Sequence, residues 1–488
     1  MPDLVPPLGS QVSQLAQRAP DQPAITCEGR TITRAELDAS TNRLARVYQE
    51  RGVGIGDYVT IVLPNSIEFL QAVIAAWKVG AVPQPLPPRL PEAEFEGVLA
   101  LHPRALVVGR ADPGGEIPSL PMDFVPDPAL SDAPLPEAVS PSWKSMASGG
   151  STGRPKLIEA TDDSRCDVAG YIEAREGDTT LISVPMSHST GLIYAVGGLL
   201  AGHLIVMPRF DPAEFLRLVT EHRVTLLATV PTIMHRLLPV YRANPDAYDL
   251  SSIREFWHVG APCPPTVKEA WIDLLGPEVL WELYGGSELQ AFTAISGGEW
   301  LAHRGSVGRV IVGEMKVLDD NGDECPPGVE GEIYMRPPQG NATYRYIGST
   351  AKTRDGWDSL GDMGHFDSDG YLYLSDRRVD MFTMGGRNVY PAEIEGALCE
   401  HPDVLSCLVV GVPDEDLGQV PYALVQVAEG AALDEAAVTH FLRKRIDAYK
   451  VPRTVEFVDG PLRDDAGKAR RSAVRAEIIA RLDAAARP

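Results

Sequence analysis

Cysteine is scarce in this chain. There are six in 488 residues (Cys27, Cys166, Cys263, Cys325, Cys399 and Cys407), with no CxxC pair and no zinc-ligand spacing. That pattern argues against a metal-ribbon or disulfide scaffold and suits a reducing cytosol. Basic residues are also in short supply: 44 Lys and Arg stand against 67 Asp and Glu, a net charge of −23. A surface of that sign disfavours nucleic acid, where phosphates must be neutralised by Lys and Arg. A local basic pocket for a small anion remains open. Long apolar runs are missing. The most apolar stretch, IYAVGGLLAGHLIVM (193–207), is short and broken by glycines and His203, so no membrane span is expected. The first residues, MPDLVPPLGSQVSQ, have neither a basic segment nor an apolar one, and they do not read as a signal peptide. Repeats and low-complexity tracts are absent. A cytoplasmic location is expected.

What is present is ordinary for a globular protein: 44% hydrophobic and 23% charged residues, with length for about three units. Thr33-Arg34-Ala35-Glu36 is a capping box that starts a helix running toward Arg51-Gly52. DYVTIVLPN (57–65) reads as a strand and IEFLQAVIAAWKVG (67–80) as an apolar helix, while the Pro- and Gly-rich residues 110–142 read as a surface excursion. From 179 onward strands (TTLISVP, HLIVM, VTLLATV, REFWHVG, EVLWEL) alternate with helices (DPAEFLRLVTEHR, PTIMHRLLPVYR), as βαβ units in a parallel sheet do. After about 330 the texture changes. Short strands (GEIYMRP, GYLYLSD), two helices (PAEIEGALCEH, DEAAVTHFLRKRI) and the apolar VLSCLVVGV read as a smaller α+β unit.

One stretch asks for a chemical explanation: Ser148-Gly149-Gly150-Ser151-Thr152-Gly153-Arg154-Pro155-Lys156. Glycines let backbone N–H groups approach a ligand, hydroxyls add donors and Lys156 adds charge, a combination that cradles phosphate. It is not a Walker A loop, because Arg154 and Pro155 stand where that motif needs Gly and Lys. Taken alone it fits an anion cradle and a flexible Gly/Ser linker equally.

SGGSTGRPK resembles the phosphate loop of the adenylate-forming superfamily, which includes acyl-CoA synthetases, peptide-synthetase adenylation domains and luciferases. Further segments similar to that family's motifs follow in order. They are Pro185-Met186-Ser187-His188-Ser189-Thr190-Gly191, Gly260-Ala261-Pro262, Tyr284-Gly285-Gly286-Ser287-Glu288, Gly361-Asp362, Asp376-Arg377-Arg378-Val379-Asp380 with Gly385-Gly386, and Gly467-Lys468. The likeness covers about residues 10–475. Runs such as HVGAPCPP, WELYGGSEL and DRRVDMFTMGGRNVYPAEIE look like bile-acid-type CoA ligases. Two departures stand out. Ser287 replaces the usual Thr, and Val379 occupies a hinge slot that usually holds Asp or Lys, so the pivot at Val379–Asp380 is expected to lack the polar contacts the family uses there.

The resemblance implies an α/β protein. A large N-terminal domain of doubly wound mixed and parallel sheets (1–378) would carry a small C-terminal α+β domain (379–488) that rotates on a hinge. It implies an ATP-dependent acyl-CoA synthetase using ATP, Mg²⁺ and coenzyme A. In it Ser148, Gly149, Gly150, Ser151, Thr152, Gly153 and Lys156 would hold the β/γ-phosphates, and Gly260, Ala261, Pro262, Tyr284 and Gly285 would frame adenine. Asp362 and Arg377 would hold ribose. Ser287 would reach the α-phosphate and Glu288 would bind Mg²⁺. His188 and Lys468 would serve at the reacting carboxylate, and the Gly385–Gly386 loop would serve the second step. The acid pocket would include His188, Tyr194, Gly285 and Gly286, whose paired glycines leave room for a bulky apolar acid. An amino-acid substrate is disfavoured, because an Asp would be needed at His188. A carrier protein as acyl acceptor, a homodimer and a non-catalytic nucleotide-binding regulator stay open.

Overall fold

The computed structural model describes residues 5–111, 115, 117–149, 155–377, 380–384, 387–414, 417–428, 430–463 and 469–485. A 14-stranded sheet forms the backbone of the molecule. Its parallel half runs through Pro23–Cys27, His203–Val206, Thr179–Ile182, Leu226–Thr229, Glu255–Val259 and Leu280–Gly285. Most of their length is apolar and buried: Leu181, Ile182, Leu204, Leu226, Phe256 and Leu280 are all 0% exposed. That is the expected signature of strands covered by helices on both sides. The helices begin where the sequence predicts. Thr33 makes both hydrogen bonds of the capping box on Arg34–Glu50, Ser66 caps Ile67–Lys78, and Asp211 caps Pro212–His222 with proline in the first turn.

After Leu280–Gly285 the sheet turns antiparallel and continues through Phe292–Ser296, Ser306–Val312, Leu372–Arg377, Trp357–Phe366, Gly331–Arg336 and Glu314–Leu318. The change of texture near 330 is therefore not a boundary. GEIYMRP and GYLYLSD extend the large sheet, because their partners are strands 314–318, 357–366 and 306–312.

Two smaller sheets flank it. Val82–Pro85, Tyr58–Ile61, Leu106–Val108 and Ser119–Leu120 are parallel. Ser145–Gly149, Pro155–Ala160 and Tyr344–Ile347 are antiparallel. A five-stranded sheet gathers Phe382–Met384, Arg387–Val389, Val404–Asp414, Gly418–Val427 and Thr454–Phe457. Its two long strands are buried on both faces. Cys407, Val409, Ala423 and Val425 pack with Ile394 and Leu442, while Leu408, Val410, Tyr422 and Leu424 pack with Ile478. The two-residue period thus serves two cores at once. Among the described residues, no helix is long and apolar enough to cross a membrane.

Candidate active site

Three of the motif segments leave the carboxyl ends of parallel strands of the large sheet, where α/β sheets bind their ligands. Pro185–Gly191 follows Thr179–Ile182, Gly260–Pro262 follows Glu255–Val259, and Ser287–Glu288 follows Leu280–Gly285. Each turn has a local cause. A Cβ at Gly191 would lie 2.2 Å from the Pro185 carbonyl oxygen, so the spacing between that proline and that glycine is a packing requirement. His188 is the N-cap residue of Ser189–Ala201, yet its imidazole does not cap the helix. Gly260 has φ +80° with open space where a side chain would stand, which allows close approach to the backbone. Leu289, directly after Glu288, holds φ +56°, a left-handed conformation uncommon for leucine.

The phosphate-loop motif closes the hairpin between Ser145–Gly149 and Pro155–Ala160, with Ser148 opposite Lys156 and Gly149 opposite Pro155. Gly150, Ser151, Thr152 and Gly153 lie outside the described residues, as do Val379, Gly385, Gly386 and Lys468. The third strand of this sheet, Tyr344–Ile347, brings Tyr346 into the site. Lys156 Nζ stands 3.9 Å from the centre of the Tyr346 ring. The Tyr346 hydroxyl donates to Glu288 Oε1 at 2.6 Å. Burial, reinforced by the Glu288 charge, pushes the Tyr346 phenol far above its ordinary range, so it stays a donor. Glu288 is itself buried, and its carbonyl accepts from Thr343 Oγ1 at 2.7 Å.

Lys144 is the main residue that the sequence reading missed. It is 1% exposed and donates to Ser189 Oγ at 3.1 Å and to the Ser287 carbonyl at 3.3 Å. Burial lowers its ammonium to about 8, opposed by the negative charge of Glu288. The available signal was a lysine at the head of a short strand of small and apolar residues leading into the Gly-rich motif.

At the other edge, the Tyr284 hydroxyl donates to Asp362 Oδ2 at 2.8 Å, and Asp362 is the register partner of Arg377. Tyr284, expected at adenine, and Asp362 and Arg377, expected at ribose, are thus neighbours. Beneath them Lys268 ion-pairs with Glu282, and both are buried.

Two expectations about the acid pocket change. A Cβ at Gly285 would lie 2.3 Å from the Phe292 ring, and one at Gly286 would lie 2.5 Å from Leu360 and 2.6 Å from Glu288 Oε2. At both glycines the space that a side chain would take is already filled by these neighbours. Tyr194 is built into the main core and is 5% exposed. Asp380, next to the undescribed Val379, lies 3.5 Å from Arg471 Nε. Finally, Arg470, two residues past Lys468, pairs with Glu94 at 2.9 Å. Glu94 lies on the helix Glu92–Leu99, whose Gly97 packs against Pro155 of the phosphate hairpin.

The sequence pattern of the AMP-binding enzyme family matches residues 12–345, and that of the AMP-binding enzyme C-terminal domain matches residues 393–468. The chain belongs to this family. It is 32% identical to a feruloyl-CoA synthase of Amycolatopsis, over 96% of this chain and 98% of that one. It is 29% identical to the fatty acid–[acyl-carrier-protein] ligase ScoC of Streptomyces coeruleorubidus, over 94% of each chain. Its fold superposes on the o-succinylbenzoate CoA synthetase of Bacillus subtilis, solved with its acyl-adenylate intermediate, with a TM-score of 0.82 at 25% identity over 95% of this chain and 97% of that one. This member of the family is an AMP-forming acid–thiol ligase, with ATP, Mg²⁺ and coenzyme A as its cofactors. The residues present fit that demand. Glu288 offers a buried carboxylate, the hard oxygen donor that Mg²⁺ prefers, with one oxygen already held by Tyr346.

Proposed function

We propose that the protein activates a bulky, apolar, ring-bearing carboxylic acid as its acyl-adenylate and then transfers the acyl group to coenzyme A. A carboxylate cannot be displaced directly, because the leaving group would be oxide. Attack of a carboxylate oxygen on the α-phosphorus of ATP forms the acyl–phosphate bond, expels pyrophosphate and makes AMP the later leaving group. Two anions must meet, so the protein's part is mainly electrostatic. Residues 148–153 and Lys156 hold the β/γ-phosphates, and Gly260, Ala261, Pro262, Tyr284 and Gly285 frame adenine. Asp362 and Arg377 hold ribose. The Ser287 hydroxyl reaches the α-phosphate, and Glu288 holds Mg²⁺, which when bound offsets phosphate charge. His188 faces the acid, and Lys468 bridges carboxylate and α-phosphate. In the second half-reaction residues 379–488 turn about Val379–Asp380 and bring Gly385–Gly386 inward. The thiol sulfur then bonds to the acyl carbon, AMP departs and the thiol proton is lost to solvent.

The observation that carries this reading is the continuous contact from Lys156 through the Tyr346 ring to Glu288, which joins the phosphate segment to the metal carboxylate. The Arg470–Glu94 pair favours the orientation for the first half-reaction, because it holds the flank of Lys468 beside the phosphate hairpin. The ring-bearing acid rests on the relatives' names and on the likeness to bile-acid-type ligases. ScoC keeps a carrier protein as a second acceptor. The test is ATP–pyrophosphate exchange with ferulate, 2-succinylbenzoate, cholate, dodecanoate and acetate, followed by acyl release to coenzyme A or to an acyl-carrier protein. Exchange with acetate alone overturns the substrate class, and no exchange with any acid overturns the activity. Acyl release only to the carrier protein moves the assignment to carrier loading.

A further inference from the structure

Lys144 has no place in the reaction scheme above, yet it stands where three of its parts meet. The residue comes immediately before Ser145–Gly149, the strand that leads into the phosphate segment. One of its bonds goes to Ser189, the first residue of the helix that starts directly after His188, and the other to the carbonyl of Ser287, next to Glu288. A single ammonium therefore fastens the phosphate strand, the acid-facing helix start and the metal turn to one another.

Its partners make the choice of lysine informative. A buried cation is costly unless it is paired. The described acceptors of Lys144 are a neutral hydroxyl and a carbonyl, and among the described residues no carboxylate lies within ion-pairing distance of Nζ. A neutral donor would satisfy those acceptors with less desolvation. The positive end of helix Ser189–Ala201 adds to the same field. Fixed positive charge in a dry site stabilises anions that are brought together there.

We propose that Lys144 is a positioning residue of the adenylation half-reaction, holding the Ser189 and Ser287 segments at fixed spacing and keeping a resident positive charge beneath the point where carboxylate and α-phosphate meet. The proposal rests on the function given above. It goes further by assigning the internal charge to a residue that touches neither reactant.

The test uses the full chain with Lys144→Met, which keeps the shape and removes the charge, and Ser189→Ala, which keeps the charge and removes one anchor. Three quantities are read: ATP–pyrophosphate exchange with ferulate as probe acid, calorimetric affinity for Mg²⁺·ATP, and thioester formation from supplied feruloyl-adenylate. Expected for Lys144→Met is a fall of about 10²-fold in the exchange kcat, as for loss of one transition-state donor. The Mg²⁺·ATP affinity should move less than about threefold and thioester formation should be near wild type, because only interactions specific to the transition state are removed. Ser189→Ala should lose about tenfold and add little to Lys144→Met in the double mutant, since the two residues act as one unit. Wild-type exchange in Lys144→Met overturns the proposal, as does a loss of nucleotide affinity that accounts for the whole rate change, or an equal fall in both half-reactions. Should Lys144→Met not fold, Ser189→Ala alone decides: exchange unchanged from wild type refutes the anchoring. If wild type shows no exchange with ferulate or any other acid of the panel, it is the assigned activity that has failed. In that case Mg²⁺·ATP affinity still decides Lys144, and a loss greater than threefold in Lys144→Met overturns its role.

Discussion

Replacing Lys268 by methionine tests how the nucleotide edge of the site is supported. Lys268 is 0% exposed and Glu282 7%, and the two form an ion pair between helix Pro265–Leu275 and strand Leu280–Gly285. The fully buried His258 places Nε2 3.9 Å from the same carboxylate oxygen. Removing one partner of such a pair strands the other charge in the interior, typically at about 3–5 kcal/mol, whereas replacing both by apolar groups is often neutral. Burial already pushes the Glu282 carboxyl upward, and Lys268 is what opposes it. Without Lys268 the folded state would hold Glu282 protonated well above the ordinary carboxyl range, while the unfolded chain releases that proton near its usual value. A group whose folded pKa is raised contributes stability below the unfolded pKa and loses it as pH rises through the folded one. The destabilisation should therefore grow from pH 5 to pH 8, by up to about 1.4 kcal/mol per pH unit. Equilibrium urea unfolding followed by tryptophan fluorescence is a suitable assay, because Trp300 lies 4.9 Å from Lys268 Nζ. Lys268→Met/Glu282→Leu should recover most of the loss and flatten the pH dependence. A single mutant with no pH dependence, or a double mutant as unstable as the single, would refute the reasoning.

Other outcomes follow from the same geometry. Tyr284→Phe removes the donor on Asp362. A hydrogen bond to a charged group is worth about 1.5–3 kcal/mol, less where water competes, so the KM for ATP in pyrophosphate exchange should rise about tenfold with little change in kcat. Glu288→Gln keeps the shape, still accepts from Tyr346 and loses the charge, so activity should fall and partly recover at high Mg²⁺; a wild-type Mg²⁺ dependence excludes Glu288 as ligand. Lys468→Ala should cut adenylation by about 10²–10³-fold while leaving thioester formation from supplied acyl-adenylate largely intact. Equal losses in both half-reactions would rule out the alternation of the small domain. Burial lowers His203 to about 4. Its folded form resists the proton that the unfolded chain takes up, so this residue lends stability above about pH 6.5 that is lost as pH falls toward 4. His203→Gln should weaken that slope in thermal scans between pH 4 and 7.

The sequence by itself determined the family, the strand-and-helix alternation and the order of the motifs. All three are local: a capping box at Thr33, apolar strands bounded by turns, and glycines at fixed spacing are written in neighbouring residues. The tertiary structure decided what depends on contacts between distant segments. Gly285 and Gly286 looked like empty space in the sequence, but Phe292 and Leu360 fill it. The strands after 330 looked like a new unit, yet their hydrogen-bond partners extend the large sheet. Asp380 meets Arg471, ninety-one positions away, a contact that no local pattern announces. Lys144 and Tyr346 belong to no recognisable motif. Each acquires a role only where strand pairing and the carboxyl ends of the parallel strands bring it against Ser189, Ser287 or Glu288. Burial turns those contacts into chemistry, because a charge or hydroxyl removed from water acts strongly on the few groups beside it.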